Sequence, residues 1–176
     1  MKLIPKPLPG EYDPYAIIYI QLLPDDGMIL KHLRSNGKMV EQLLRSLTPE
    51  EWVFRYAEGK WTIKEILLHM IDDERIYSYR ALRFARNDAT ELPGFNQDPY
   101  VIESKANERT AASLMEEYSA VRNATISLCE NLPEEAWMRG GTADNHPTTV
   151  RALIYHLAGH ELHHMNIFKN KYLSAR

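Results

Sequence analysis

Apolar residues recur at three- and four-residue spacing over four long stretches of the chain, the pattern of one buried face of an α-helix. The first stretch runs from about Asp26 to Leu47, through Leu30, Leu33, Gly37, Val40, Leu44 and Leu47. The second opens on a capping box, Thr62-Ile-Lys-Glu65, with Trp61 placed to pack on Ile66 as a hydrophobic staple. Its inward face reads Ile66, His69, Met70, Asp73, Ile76, Tyr77, Arg80, Ala81 and Phe84, and it stops near Asn87-Asp88. The third runs from about Thr110 to Asn131, through Leu114, Tyr118, Val121, Thr125 and Leu128. Thr148 or Thr149 caps the fourth, which continues to about Leu173. No segment shows a convincing strand pattern. The expectation is an all-α four-helix bundle, one domain over residues 1–176.

The connecting segments qualify this picture. Residues 1–24 contain Pro5, Pro7, Pro9, Pro14 and Pro24 and cannot form one continuous helix. Their apolar content is too high for a floating tail, so a short helical piece over 14–22 should lie on the main body within an irregular Pro-rich segment. Thr48-Pro-Glu-Glu-Trp52 and Leu132-Pro-Glu-Glu-Ala-Trp137 read as short helical starts. Residues 89–107 form a long connection between the second and third helices, a length that suggests a flap or a crossover along the bundle.

Composition narrows the class. The net charge of −3 comes from both signs mixed along the chain, as on solvated helix faces, so no basic field points to nucleic acid. The single cysteine, Cys129, excludes an intramolecular disulfide framework and fits a reducing compartment. The N-terminus lacks a signal-peptide pattern, and the apolar run Tyr15 to Leu23 is too short to span a bilayer. A cytoplasmic protein without membrane or nucleic-acid partners is expected.

The candidate chemistry is histidine. Four of the seven histidines fall in His156-Leu-Ala-Gly-His160-Glu-Leu-His163-His164. His156, His160 and His164 are four residues apart, one helical turn each, so adjacent pairs can offer two imidazoles to one cation. With His156 set at zero and a step of about 100° per residue, His160 falls at about 40° and His164 at about 80°. Leu153 and Leu157 fall at about 60° and 100°, so His160 and His164 lie in the apolar stripe, with His156 and His163 on its border. The best third ligand is His69, with Asp73 one turn on as a fourth ligand, an acceptor for an imidazole N–H, or a base. Glu161 points away from this face, and Asp72 and Glu74 lie nearer the flanks. An internal echo gives a different pairing. Short helix, loop, capped helix and histidine recur in 47–69 and 132–156, which aligns His69 with His156 and Asp73 with His160. Three neutral imidazoles suit zinc, nickel or iron.

Several runs resemble DinB-like proteins, most closely their YfiT-like branch. They are Gly59-Lys-Trp-Thr-Ile-Lys-Glu-Ile-Leu-Leu-His69-Met-Ile-Asp72-Asp73-Glu74-Arg75, Arg80 to Asp88, Leu92-Pro-Gly-Phe95 with Gln97-Asp98, and the histidine run itself. The resemblance covers nearly the whole chain. It implies a four-helix bundle holding a divalent metal on three histidines, which map here to His69, His160 and His164. It also implies a homodimer and a small-molecule substrate. The implied activity is metal-dependent S-transfer with a low-molecular-weight thiol such as bacillithiol or mycothiol; metal-dependent hydrolysis and a non-catalytic metal-binding role are the rivals. Asp73 stands where a small residue is usual in that family.

Overall fold

The computed structural model describes residues 2–173. The expected domain over 1–176 therefore includes four residues, at its two ends, that lie outside the described ones. Four long helices carry the fold: α2 (Ile29–Arg45), α4 (Ile63–Ala85), α6 (Ala111–Glu130) and α7 (Val150–Ile167). Each packs on two others, α4 on α6 and α7, and α2 on α6 and α7, which closes a four-helix bundle. Short helices α1 (Ile17–Ile20), α3 (Pro49–Val53) and α5 (Gln97–Glu103) occupy the connections.

The predicted helix starts are present as hydrogen bonds. Thr62 Oγ1 accepts from Glu65 N at 3.1 Å, while Thr62 N donates to Glu65 Oε2 at 2.7 Å. Thr149 is the cap of α7, its hydroxyl accepting from Ala152 N at 3.3 Å. Beyond Ile167 the backbone widens into a π-helical turn, Phe168–Tyr172.

The expectation that no segment forms strands needs correction. Residues 140–149 form a hairpin, β1 (Gly140–Ala143) paired antiparallel with β2 (His146–Thr149). Its two turn residues, Asp144 and Asn145, have φ of 53° and 63°, as a type I′ turn demands of both central positions. That dipeptide was the available signal; the strands are too short for alternation to show. The long 89–107 connection carries short structure of its own. Leu92 pairs with the hairpin through Leu92 N to Thr142 O at 2.9 Å and Asp144 N to Leu92 O at 3.0 Å, and α5 follows.

The Pro-rich segment lies on the bundle as expected, with α1 against α7. Thr149 N donates to Glu11 O at 3.1 Å, Arg151 Nε donates to Glu11 Oε2 at 2.8 Å, and the Tyr155 hydroxyl donates to Ile4 O at 2.8 Å. A glycine permits the close approach: a Cβ on Gly159 would sit 2.3 Å from Tyr19 O.

The buried apolar residues form two clusters, one at each end of the bundle. One joins the N-terminal segment to the ends of α4 and α6 and the first half of α7. The other joins the second half of α2, the starts of α4 and α6, and Met165 and Phe168. Buried polar residues lie between them on all four helices: Asn36 on α2, Asp73 and Glu74 on α4, Arg122 on α6, His160 and Glu161 on α7. This polar layer has two sides. On one, the Arg122 guanidinium bridges Glu74 and Glu161, each at 2.8 Å at closest approach, and also donates to Leu33 O. The Tyr118 hydroxyl donates to Glu161. The histidines occupy the other side.

Candidate metal centre

The capping box starts α4 so that His69 and Asp73 fall on the face turned to α7, and the Thr149 cap does the same for His160 and His164. His69 Nε2 and His160 Nε2, 91 positions apart in the chain, are 3.1 Å apart, and His164 Nε2 is 2.9 Å from His160 Nε2. All three residues are buried. The structure thus brings His69, the candidate third ligand, to the two histidines that the helical wheel placed in the apolar stripe. It does not pair His69 with His156 as the internal echo does.

The donor set suits a cation. A ring nitrogen carries one proton or one lone pair, so His160 Nε2 cannot make good hydrogen bonds to both neighbours. Tetrahedral coordination at about 2.0–2.1 Å would place ligand nitrogens about 3.3 Å apart, close to the spacings seen. Burial pushes the pKa of all three imidazoles down, and that of His160 falls further because His164, His156 and His69 crowd it. Opposing this at His69 is the Asp73 carboxylate. The rings are therefore neutral at pH 7 and keep the lone pairs that a metal needs.

Asp73 sits behind this trio. Its Oδ2 is 3.3 Å from His160 Nδ1 and 3.6 Å from His156 Nε2. An Nδ1–H of His160 directed at this carboxylate leaves the Nε2 lone pair facing His69 and His164, the arrangement by which carboxylates orient ligating histidines. Asp73, His156 and His160 also form a second group whose ligand atoms lie within 4.8 Å of one another. Asp73 Oδ2, His156 Nδ1 and His164 Nδ1 are buried without a hydrogen-bond partner among the described residues.

His156, expected on the border of the stripe, is buried, its ring stacked on Tyr77 at 4.0 Å. His163 is half-buried. Tyr19 of α1 turns its ring edge to His156, His160 and His163 at 5.0 to 5.3 Å and so covers this side of α7. No sequence pattern placed Tyr19 there; the contact depends on Gly159. Arg80, on the inward face of α4, is buried and donates to Pro93 O. Glu161 does point away from the histidines, but into the Arg122 network. Glu74, placed near the flanks by the sequence, is buried in that same network.

Two cavities reach the trio. One, of about 320 Å³, has His164 in its wall beside Trp61, Ile66, Ile167 and Tyr172. The other, of about 410 Å³, has His160 and Asp73 in its wall beside Tyr19, Tyr77, Arg80 and Asn96.

A model of the DinB superfamily matches residues 32–168, which include most of α2, all of α4, α6 and α7, and all three convergent histidines. The chain belongs to the DinB superfamily. An Oceanobacillus iheyensis protein named "Putative metal-dependent hydrolase" is 28% identical over 140 residues, covering 77% of this chain and 79% of its own. Among solved structures, YfiT from Bacillus subtilis superposes with a TM-score of 0.73 at 14% identity, over 98% of this chain and 94% of that one. It is described as "a probable metal-dependent hydrolase with an unusual four-helix bundle topology". A second DinB-like protein of Bacillus subtilis matches with a TM-score of 0.60 at 18% identity, over 84% of this chain and 92% of that one. At these identities both structures speak for the DinB fold alone. Among the described residues no helix is long and apolar enough to cross a membrane.

Proposed function

We propose that this DinB-superfamily protein is a divalent-metal-dependent enzyme that transfers a group from a small-molecule substrate to a low-molecular-weight thiol. His69, His160 and His164 are the proposed ligands of zinc, nickel or iron. The observation that carries the reading is the convergence of three buried, neutral imidazole Nε2 atoms at 2.9 and 3.1 Å. The name of the Oceanobacillus relative, metal-dependent, supports the same cofactor class. A bound divalent cation supplies Lewis acidity, lowering the pKa of a thiol or water and polarising an electrophile.

The chain's own residues prepare that chemistry. The Asp73 carboxylate, with its Oδ2 3.3 Å from His160 Nδ1, favours the tautomer of His160 that carries its proton on Nδ1 and leaves the Nε2 lone pair facing the centre. Tyr19 and the surrounding apolar residues exclude bulk water from one side of α7. The cavity beside His160 admits a polar molecule, and Asp73 and Arg80 in its wall give it polar partners. In the overall reaction the thiol loses its proton, a C–S bond forms, and the bond to the leaving group breaks with its electron pair. The working form is proposed to be a homodimer, as the family resemblance implies, of one-domain cytoplasmic chains, as length and composition suggest.

A second reading, hydrolysis, is favoured by the names given to the Oceanobacillus protein and to YfiT. One set of measurements separates the two. Protein purified without a histidine tag should carry near-stoichiometric divalent metal, and a His160→Ala/His164→Ala variant should carry none. Bacillithiol, mycothiol, glutathione and cysteine are then offered with a generic chloro-nitroarene electrophile and with an activated ester. Turnover that needs added thiol supports transfer, turnover of the ester without thiol supports hydrolysis, and a metal-free wild type after metal reconstitution sinks both.

A further inference from the structure

The two cavities that meet at the histidines differ in chemistry. The one beside His160 and Asp73 sets the rings of Tyr15, Tyr19, Tyr77 and Phe95 among charged and amide groups, with Arg80 and Asp144 in its wall. The one beside His164 is an aromatic chamber. Trp61, Tyr56 and Tyr172 supply its rings and Ile66 and Ile167 its aliphatic wall, while the exposed Lys60 and Asp98 stand at its mouth. His164, Ile66 and Tyr172 are buried, whereas Tyr56 is exposed, so the chamber deepens from a wet rim to a dry floor at His164.

The walls are held in place. The Tyr172 hydroxyl donates to Trp61 O, and its ring meets Tyr56 edge-on at 5.1 Å and Phe168 at 5.9 Å. The Trp61 indole leans on His69 at 5.2 Å. The chamber is thus anchored to two of the three histidines, and its floor lies one imidazole away from the point where the Nε2 atoms converge. An apolar cavity of about 150 Å³ holds a benzene ring. At about 320 Å³ this one has room for a ring and a short linker.

We propose that this chamber is the specificity pocket for an aromatic or branched apolar group on the electrophilic substrate, and that the polar cavity across the trio receives the nucleophile. The proposal rests on the reading of His69, His160 and His164 as the reaction centre. Two organic partners that meet at one centre each need an organic-sized space, and the two cavities supply them. Unlike walls also sort the partners: an apolar group in the polar cavity would strand Arg80 and the aspartates, and a charged group on the chamber floor would be desolvated without a partner.

The test reads binding without requiring turnover or metal. The chain has three tryptophans, so the indole N–H region of a nitrogen-15 spectrum has three side-chain signals, with that of Trp61 assigned through Trp61→Phe. Titration with benzyl alcohol should shift the Trp61 signal saturably and leave those of the buried Trp52 and Trp137 in place. Burial of one aromatic ring implies a preference of roughly ten-fold or more over methanol. Ile167→Trp, which fills the chamber from a half-buried wall position, should abolish the shift while circular dichroism stays native. In metal-loaded protein, benzohydroxamate should bind roughly ten-fold or more tightly than acetohydroxamate, and Ile167→Trp should erase the difference. A Trp61 signal that does not saturate, equal response to methanol, or equal hydroxamate affinities overturns the proposal even when metal is bound. A metal-free protein whose Trp61 signal still saturates with benzyl alcohol supports the chamber and counts against the metal reading alone.

Discussion

Arg122 carries the sharpest stability prediction. Its guanidinium donates to Glu74 at 2.8, 2.9 and 3.1 Å, to Glu161 at 2.8 and 3.0 Å, and to Leu33 O at 2.9 Å. Arg122, Glu74 and Glu161 are 6%, 3% and 2% exposed, so water cannot take over these bonds. Arg122→Met keeps much of the volume and removes the cation, leaving two carboxylates facing each other between the apolar clusters. Breaking a buried pair from one side costs about 3–5 kcal/mol, against roughly 5–15 kcal/mol for a whole domain. At about 2–4 °C per kcal/mol for a chain of this size, Tm should fall by roughly 6–20 °C. Urea unfolding followed by circular dichroism measures the loss.

The loss should also depend on pH in a definite direction. Burial already raises the Glu161 pKa in the native protein, against the opposing pull of Arg122. Without Arg122 the folded-state value of Glu161 rises further above its unfolded value. A raised folded pKa contributes stability that is fully present below the unfolded value and is lost as pH rises through the folded one. The gap between variant and wild type should therefore be small near pH 4 and widen toward pH 7. Arg122→Met combined with Glu74→Gln and Glu161→Gln should recover much of the loss, because no uncompensated charge is then buried. A deficit below about 1 kcal/mol at pH 7, or a triple variant less stable than the single one, would refute the claim that charge compensation holds this layer together.

Other substitutions test the site from its surroundings. Asp73→Asn should weaken metal affinity by about 10–100-fold without unfolding the protein, read by competition with a chromophoric chelator, because it removes the negative charge 3.3 Å from His160 Nδ1. Gly159→Val should release the N-terminal segment, since even a Cβ would stand 2.3 Å from Tyr19 O; limited proteolysis should cut within residues 5–24 faster than in wild type. Cys129 is fully buried and its thiol is pushed up to about 12, so native protein should resist a thiol-disulfide reagent at pH 8 and react once unfolded in urea. The same raised pKa predicts stability from this group intact below about pH 8.5 and declining above it, as the unfolded thiol ionises first.

The helices and the metal candidates were legible in the sequence because both depend on local periodicity. Thr62-Ile-Lys-Glu65 set the start of α4, and four-residue spacing put His160 and His164 on one face, whatever the rest of the chain does. The β1–β2 hairpin was missed because four-residue strands carry too little alternation, and only Asp144-Asn145 marked the turn. The Arg122 network was missed for a different reason. Glu74 and Arg122 look like ordinary helix-surface charges until α4, α6 and α7 are assembled, because a single helix does not reveal that a charge will meet its counterion in the interior.

By itself, then, the sequence determined four amphipathic helices, their caps, and three inward histidines, since each follows from residues within a few turns of one another. Which imidazoles meet was decided by tertiary structure: the internal echo offered His156 as the counterpart of His69, and the packing of α4 on α7 brought His160 there. Packing also placed Tyr19 over α7 through the space at Gly159, set Asp73 behind His160, and divided the approaches to the trio into an aromatic chamber and a polar cavity. These are contacts between residues far apart in the chain, and their geometry depends on helix offset and rotation, which no local pattern encodes.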